Sequence, residues 1–307
     1  MDFGRVSAQE LTRINFKLPE PISFLKTQTA KPLTVKLGCP VWANPGFRGT
    51  IYPQETKKQD FLKNYALQFD AIELNSTHYS LPAFETIKKW NEEALGANPD
   101  FKFSPKLLQS ISHQGSLTQH RQELGAFLKT LEYFGPSLGI SFLQLPPFFS
   151  PAELPALFSF LDQWPQTFQL AIEFRHAAWF KNEAIAKKVS DYLFSRKISL
   201  VITDTPGERS VLHSWLTAPH MLVRFVANEL HPVDQPRIQD WANHIHKLHT
   251  LGLEEIYFFA HQPDESLCLA PLQQLAYALK LQGIQVREPI NHALTAKPAA
   301  TQQLSLF

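Results

Sequence analysis

Short apolar runs rich in β-branched and aromatic residues recur along the chain and predict strands. Eight of them are present: LTVKLG (33–38), FDAIELN (69–75), FKFSPK (101–106), ISFLQLP (140–146), LAIEFRH (170–176), SLVITD (199–204), MLVRFV (221–226) and EIYFFAH (255–261). Most are separated by stretches with apolar residues at helical spacing, such as FETIKKWNEEAL and HRQELGAFLKTLEYF. This alternation predicts parallel strands joined by helical crossovers.

Eight such units favour a (β/α)8 TIM barrel over an open doubly wound sheet, which is the alternative. We expect one barrel domain over residues 33–288, with an N-terminal extension, 1–32, that wraps it. The sixth unit is irregular, because the segment PGERSVLHSWLTAP (206–219) is short and flanked by prolines, so we do not expect a full helix there. Residues 289–307 are rich in Ala, Pro, Thr and Gln and are expected to form a flexible tail.

Polar residues at the carboxyl ends of these strands are the candidates for a functional site. Barrel strands alternate between the helices and the interior with period two, so Glu73 shares a face with Ala71, and Glu173 with Ala171. The other strand ends add Lys106, Gln144, Asp204, Arg224 and His261. Since barrel active sites are built from these ends, we expect a charged pocket there. The alternative is a set of structural salt bridges.

The residue types at these ends suit acid–base chemistry or anion binding. Carboxylates can act as general acid and base, or can hold a divalent cation together with His176 or His261. Lys106, Arg175 and Arg224 supply the donors that a carboxylate or phosphate needs. The predicted catalytic residues are Glu73, Lys106, Glu173 and Asp204. The mixed set is typical of proton transfer or of phosphoester chemistry and does not choose between them, and no GxGxxG, P-loop, HExxH or CxxC motif is present.

Bulk properties narrow the class further. A content of 44% hydrophobic residues excludes intrinsic disorder for the main body, and a net charge of +1 gives no global electrostatic case for a nucleic-acid partner. Two cysteines do not make a disulfide scaffold. Neither a secretory signal nor an apolar run near the ~20 residues of a membrane span is present. The sequence therefore predicts a cytoplasmic protein without a membrane partner.

Six segments of the chain resemble the YecE-like family, a bacterial domain of unknown function with a TIM-barrel fold. They read GCPVWANPGFRGTIYP, FLKNYALQFDAIELNSTHYSLP, FKFSPKLLQSISH, GISFLQLPPFF, LAIEFRHAAWF and LVITDTP, and they span roughly residues 35–206, with a weaker continuation to about 282. Beside Glu73, Lys106, Gln144, Glu173, Asp204 and Arg224, the matching positions are Trp42, Tyr52, Asn75, Tyr79, His113, Pro146, Arg175, His176 and Trp179. The chain departs from the family at RFVAN (224–228), where many relatives read Arg-x-His-Gly, and at His261, where asparagine is frequent.

The resemblance and the strand ends together give a set of substrate-binding candidates: Asn75, Tyr79, His113, Gln144, Arg175, His176, Trp179, Arg224 and His261. The first hypothesis is an enzyme of hydrolase or isomerase type that acts on a phosphorylated or nucleic-acid substrate. In outline the barrel is similar to metal-dependent sugar isomerases and DNA-repair endonucleases. A non-catalytic binding module and a carbohydrate-processing enzyme are the alternatives, because Trp42, Tyr79 and Trp179 suit stacking on sugar rings as well as on bases.

The chain ends in QLSLF, which resembles the pentapeptide by which bacterial proteins bind the DNA sliding clamp. In that interpretation Gln303 is a polar anchor, and Leu304, Leu306 and Phe307 fill apolar pockets. The alternative is that the pentapeptide packs on the barrel as a hydrophobic anchor. A clamp partner would favour DNA-related chemistry in the pocket.

Overall fold

The computed structural model describes residues 6–25 and 29–295, which form a mixed α/β fold with parallel strands. All eight predicted strands are present, and two short strands accompany them. The strands are β1 (Ile22–Ser23), β2 (Thr34–Gly38), β3 (Ala71–Leu74), β4 (Lys102–Pro105), β5 (Ser141–Gln144), β6 (Leu170–Glu173), β7 (Ser199–Asp204), β8 (Trp215–Leu216), β9 (His220–Val226) and β10 (Glu255–His261).

Helices connect most of these strands, as the periodicity predicts. They are α1 (Ala8–Leu11), α2 (Phe61–Gln68), α3 (Phe84–Ala97), α4 (Gln109–His113), α5 (Arg121–Phe134), α6 (Leu154–Leu161), α7 (Ala178–Lys181), α8 (Glu183–Ser195), α9 (Asp234–Thr250), α10 (Leu269–Leu281) and α11 (His292–Thr295). Helix α6 is not predicted from the sequence, because its residues, LPALFSFL, are apolar on nearly all faces and show no alternation of apolar and polar positions at helical spacing. Residues 206–219 contain β8 and no α-helix, in agreement with the sequence.

The main sheet has six parallel strands in the order β2-β10-β9-β7-β6-β5, and β3 and β4 form a parallel pair. Further backbone hydrogen bonds join this pair to both edges of the main sheet. On the β2 side, Asp70 N donates to Leu37 O over 3.0 Å. On the β5 side, Leu107 N donates to Phe142 O over 2.9 Å. The eight long strands are therefore neighbours in sequence order.

Gly38 allows β2 and β3 to approach closely. A Cβ atom at this position would lie 2.0 Å from the carbonyl oxygen of Ala71 in β3, which is far inside van der Waals contact. The Tyr65 hydroxyl of α2 donates to the same oxygen over 3.0 Å. Only glycine fits between these groups.

Apolar side chains divide between the two faces of the strands. The inner face is formed by a small cluster of buried residues: Ala71, Ile140, Phe142, Ala171, Val201, Leu222, Tyr257 and Phe259. The outer face packs against the helices in two larger clusters, which contain Ile72 and Ile202 in one and Ile172 in the other. This alternation with period two fixes which strand residues face inward.

The segments before and after the long strands pack along the outside. Strand β1 pairs in parallel with β8, and Ile22 N donates to Ser214 O over 2.8 Å. Residues 283–295 run along α2, where Ile290 N donates to Gln68 Oε1, and reach the loop after β2, where His292 N donates to Thr50 O, both over 2.8 Å. In the described ranges, no helix has the length and apolarity required to cross a bilayer.

Candidate functional site

Six strand ends bring polar side chains together above the inner apolar cluster. Each lies two positions after an inward-facing residue of its own strand. Because side chains alternate between the two faces of a strand, these six side chains also point inward. All six are buried. We call them the basal network, and its members are Glu73, Lys106, Gln144, Glu173, Arg224 and His261.

Arg224 of β9 lies at the centre of the basal network. Its Nε donates to Glu73 Oε2 over 3.1 Å and its Nη2 to Glu73 Oε1 over 3.0 Å, which makes a bidentate pair. Its Nη1 donates to Glu173 Oε2 over 3.1 Å. One guanidinium thus joins two buried carboxylates from β3 and β6.

Glu73 has two further partners. His261 Nε2 lies 2.9 Å from its Oε2, and Asn75 Nδ2 donates to its Oε1 over 2.8 Å. Burial by itself raises the pKa of this carboxyl, but Arg224 and His261 more than offset burial and hold the pKa well below its ordinary value. Glu73 is therefore ionised at neutral pH. The half-buried Glu265 is also close enough for the Glu73 charge to raise its pKa, in addition to the effect of burial.

Glu173 is surrounded in a similar way. Thr203 Oγ1 donates to its Oε1 over 2.7 Å, and Gln144 Nε2 donates to its Oε2 over 2.9 Å. The Nε of Arg175, a partly exposed residue, lies 2.5 Å from Oε1. Burial raises the pKa of Glu173, but Arg175 and Arg224, with the Thr203 hydrogen bond, lower it to about 2. A carboxylate this acidic is a poor base at neutral pH.

Lys106 is the unusual cation of the network. Its Nζ donates to the neutral side-chain oxygen of Gln144 over 2.7 Å, and within the part of the chain that the structure describes this is its single hydrogen-bond acceptor. Burial and the neighbouring Arg224 lower the pKa of the Lys106 ammonium to about 8. Three cationic side chains, Lys106, Arg175 and Arg224, therefore face two carboxylates.

Two histidines lie beside Lys106. His78 Nδ1 is 2.6 Å from the backbone oxygen of Leu107, and the His78 ring is 5.4 Å from that of His113. Burial and the Lys106 charge lower the pKa of His78 to about 4 and also lower that of His113. Both imidazoles are neutral at pH 7. His78 and Thr203 are site residues that sequence reasoning misses.

Asp204 lies outside the basal network, although the sequence groups it with the other polar strand ends. Its Oδ1 accepts from Arg209 Nη1 over 2.6 Å, and its Oδ2 accepts from Trp241 Nε1 over 2.8 Å. Arg237 completes an ion pair at 3.1 Å. These partners belong to the loop after β7 and to α9, because Asp204 shares the outward face of Ile202. Thr203 occupies the inward position at this level.

Two other candidates have local structural contacts. Trp179 is buried, stacked on Phe174 with ring centres 4.5 Å apart, and its Nε1 donates to Phe149 O over 2.8 Å. Its ring is therefore enclosed by protein and has no free face for a ligand, contrary to expectation. His176 Nδ1 accepts from Ala178 N over 3.1 Å at the start of α7.

The proposed metal set does not assemble. Among residues 6–25 and 29–295, no group of three or more His, Cys, Asp or Glu side chains is placed to hold a metal ion. Arg224 donates hydrogen bonds to oxygens of both Glu73 and Glu173, while Asp204 accepts a hydrogen bond from Trp241 on the outer side of the strands. The tail residues predicted to bind the clamp, Gln303, Leu304, Leu306 and Phe307, lie outside the described residues.

The fold and site define an α/β protein with parallel strands whose buried charges meet at the carboxyl ends of those strands. The family model for "Protein of unknown function DUF72" matches residues 36–296. The chain belongs to this family, which confirms the resemblance to YecE-like proteins drawn from the sequence.

Relatives match over most of their length. The chain is 28% identical over 291 residues to UPF0759 protein YecE of Escherichia coli K12, with 89% of this chain and 100% of that protein covered. Crystal structures of DUF72 family proteins share the fold. The one from Enterococcus faecalis V583 has a TM-score of 0.62 at 18% identity, with 80% of this chain and 96% of that chain covered. The one from Thermotoga maritima MSB8 has a TM-score of 0.57 at 20% identity, covering 81% and 98%.

Proposed function

We propose that the eight long strands form one closed (β/α)8 barrel, and that the protein is an enzyme for an anionic, phosphorylated ligand bound at the carboxyl ends of the strands. Hydrogen bonds from the β3–β4 pair to both edges of the six-stranded sheet support closure. The close approach of β2 and β3 at Gly38 supports it as well. Barrel enzymes bind their substrates at this end.

The observation that carries the ligand class is the unbalanced charge at Lys106. Arg224 and Arg175 pair directly with the two carboxylates, whereas the buried Lys106 ammonium donates to a neutral amide oxygen and interacts with Glu173 and Glu73 at longer range. Three cationic side chains against two carboxylates leave one excess positive charge, which is costly to bury, and a bound anion would reduce that cost. Arginine and lysine are also the side chains that recognise phosphate best.

The pKa values suggest how protons would move. Glu73 and Glu173 stay ionised and hold Arg224 in place, so we assign them a positioning role rather than the acid–base role inferred from the sequence. Lys106, with a pKa of about 8, is close to the working range of a general acid. His78 and His113 are neutral at pH 7 and, with lowered pKa values, are weak bases there. We therefore assign Lys106 as the acid–base residue and Arg175 as the anion contact nearest to solvent.

Titration of the protein with inorganic phosphate and pyrophosphate by calorimetry tests the ligand class. Wild-type protein should bind at pH 7 and lose affinity between pH 7 and 9.5, because the Lys106 charge is lost as pH rises through about 8. Lys106→Met should weaken binding at least tenfold. The matched control is Lys129→Met, which removes an exposed lysine paired with Glu132 and should change nothing.

Two results would count against the proposal. One is the absence of phosphate and pyrophosphate binding at millimolar concentration, and the other is unchanged affinity in Lys106→Met. Thermal unfolding of the same variant separates misfolding from loss of a ligand contact. If binding survives but no phosphorylated compound is ever turned over, the non-catalytic binding module is the better description.

Recruitment to a DNA sliding clamp through Gln303–Phe307 is a second part of this proposal, supported by the five-residue match of QLSLF to the clamp-binding pentapeptide. A location in the cytoplasm is supported by the two cysteines, Cys39 and Cys268, which are buried and free. Clamp recruitment would make a nucleic-acid substrate the natural choice among phosphorylated ligands.

A further inference from the structure

Two exposed aromatic rings follow strands that carry the basal network. Tyr79 is 70% exposed and lies after β3, the strand of Glu73. Phe148 is 74% exposed and lies after β5, the strand of Gln144. Large aromatic rings are usually buried, so two exposed rings in loops after the carboxyl ends of these strands are candidates for contacts with a ligand.

The Tyr79 ring is linked to the basal network through His78. It lies 5.2 Å from the His78 ring in an edge-to-face arrangement. His78 in turn bonds to Leu107 O, one residue after Lys106, and its pKa is lowered by the Lys106 charge in addition to burial. Tyr79 is therefore one side chain away from the unbalanced cation.

The turn that carries Phe148 is held by its neighbours. Phe149 N donates to Pro146 O over 3.0 Å, and the Phe149 ring stacks on Trp179 at an interplanar angle of 13°. Trp179 Nε1 donates to Phe149 O. Phe149 is thereby fixed inward while Phe148 points to solvent. Phe148 lies four residues after Gln144, which limits its backbone distance from the network to roughly 14 Å.

We propose that the ligand of this site is a nucleotide unit, with its base stacked on Tyr79 or Phe148 and its phosphate on Arg175 and the basal network. The phosphate half rests on the proposed function, and the base half rests on the two rings. A flat, uncharged base matches an aromatic face that offers few hydrogen-bonding groups, as Phe148 does. Stacking of this kind contributes roughly tenfold in affinity for each ring. Two rings on separate loops suit either one base of a free nucleotide or successive bases of a single strand.

Binding of four probes tests the proposal: inorganic phosphate, ribose 5-phosphate, thymidine 5′-monophosphate and a fluorescein-labelled twelve-residue oligothymidylate. Wild-type protein should bind the nucleotide at least tenfold more tightly than ribose 5-phosphate. Tyr79→Ala and Phe148→Ala should remove most of that difference and leave phosphate affinity unchanged, whereas Arg175→Met should weaken all four. Tyr277→Ala removes an exposed ring from α10 and is the matched control.

The outcomes separate the two proposals. If phosphate binds but the nucleotide binds no better than ribose 5-phosphate, the base-stacking inference is wrong and the anion site stands. If nucleotide affinity is the same in both aromatic variants as in wild type, the inference is also wrong. If phosphate does not bind at all, the proposed function fails and the phosphate half of this inference fails with it. Tighter binding of the oligothymidylate than of the monophosphate identifies a single strand as the source of the nucleotide, and equal binding identifies a free nucleotide.

Discussion

Replacing Arg224 with methionine removes the cation shared by Glu73 and Glu173 while preserving the length of the side chain. A pKa for Glu173 of about 2, against an ordinary value of 4.5, corresponds to about 3 kcal/mol of folding free energy at neutral pH, which Arg175, Arg224 and the Thr203 hydrogen bond supply together. Breaking a buried ion pair by removing one partner costs roughly 3–5 kcal/mol. We expect Arg224→Met to lower the free energy of unfolding by that amount at pH 7.

The loss should depend on pH in a defined direction. In the wild-type protein the folded pKa of Glu173 is depressed, so its stabilisation is present above about pH 4.5 and is lost as pH falls toward 2. In Arg224→Met, burial without the guanidinium raises the pKa values of both carboxyls, and the folded variant takes up protons below neutrality. The stability gap between variant and wild type should therefore narrow from pH 7 to pH 5.

Urea unfolding followed by tryptophan fluorescence at pH 7 and pH 5 measures this gap. Arg175→Met is the comparison variant, and it should cost less than Arg224→Met, since Arg175 contacts only one of the two carboxylates and is partly exposed. A loss below 1 kcal/mol for Arg224→Met, or a gap that does not change with pH, would refute the electrostatic account of the basal network.

Three further predictions follow from features elsewhere in the chain. Gly38→Ala should destabilise the protein by about 2 kcal/mol or more, because its Cβ would overlap Ala71 O, whereas Gly125→Ala on the open face of α5 should stabilise it by roughly 0.5–1 kcal/mol; thermal unfolding compares them. Asp204→Asn should lower the melting temperature yet leave phosphate affinity intact, and a loss of affinity would return Asp204 to the site. Deleting residues 303–307 should abolish capture by a bacterial sliding clamp in a pull-down without changing the melting temperature, and a large loss of stability would instead favour packing of this segment on the rest of the chain.

Strand periodicity was sufficient to find the basal network because inward and outward positions alternate strictly along a strand. Glu73 and Arg224 could be assigned to one interior from the parity of their neighbours alone. The same rule, applied fully, also places Asp204 on the outward face, since it shares the parity of Ile202. Asp204 is a site candidate because it is charged. Thr203, the inward residue, is uncharged and is not predicted as a site residue.

Residues in the loops after the strands could not be assigned in this way. His78 lies in a short 3-10 turn, Asn75–His78, and its contact with the backbone beyond β4 depends on how two adjacent loops pack. Trp179 is a stacking candidate from the sequence but lies in a core cluster, and Phe148 is exposed although its neighbour Phe149 is buried. Loop side chains have no fixed period, so only tertiary contacts decide which of them turns inward.

The bridge made by Arg224 also constrains the order in which the chain can fold. A nascent chain that ends before residue 224 already contains Glu73 and Glu173, and it also contains Arg175, which pairs with Glu173, but it lacks the guanidinium that pairs with Glu73. Closing the interior around Glu73 without its bidentate partner is unfavourable, so the amino-terminal strands have no stable way to bury this carboxylate during synthesis. Docking of β9 is then the step that permits the interior to lose its water, and fragments that stop short of it should remain open and hydrated.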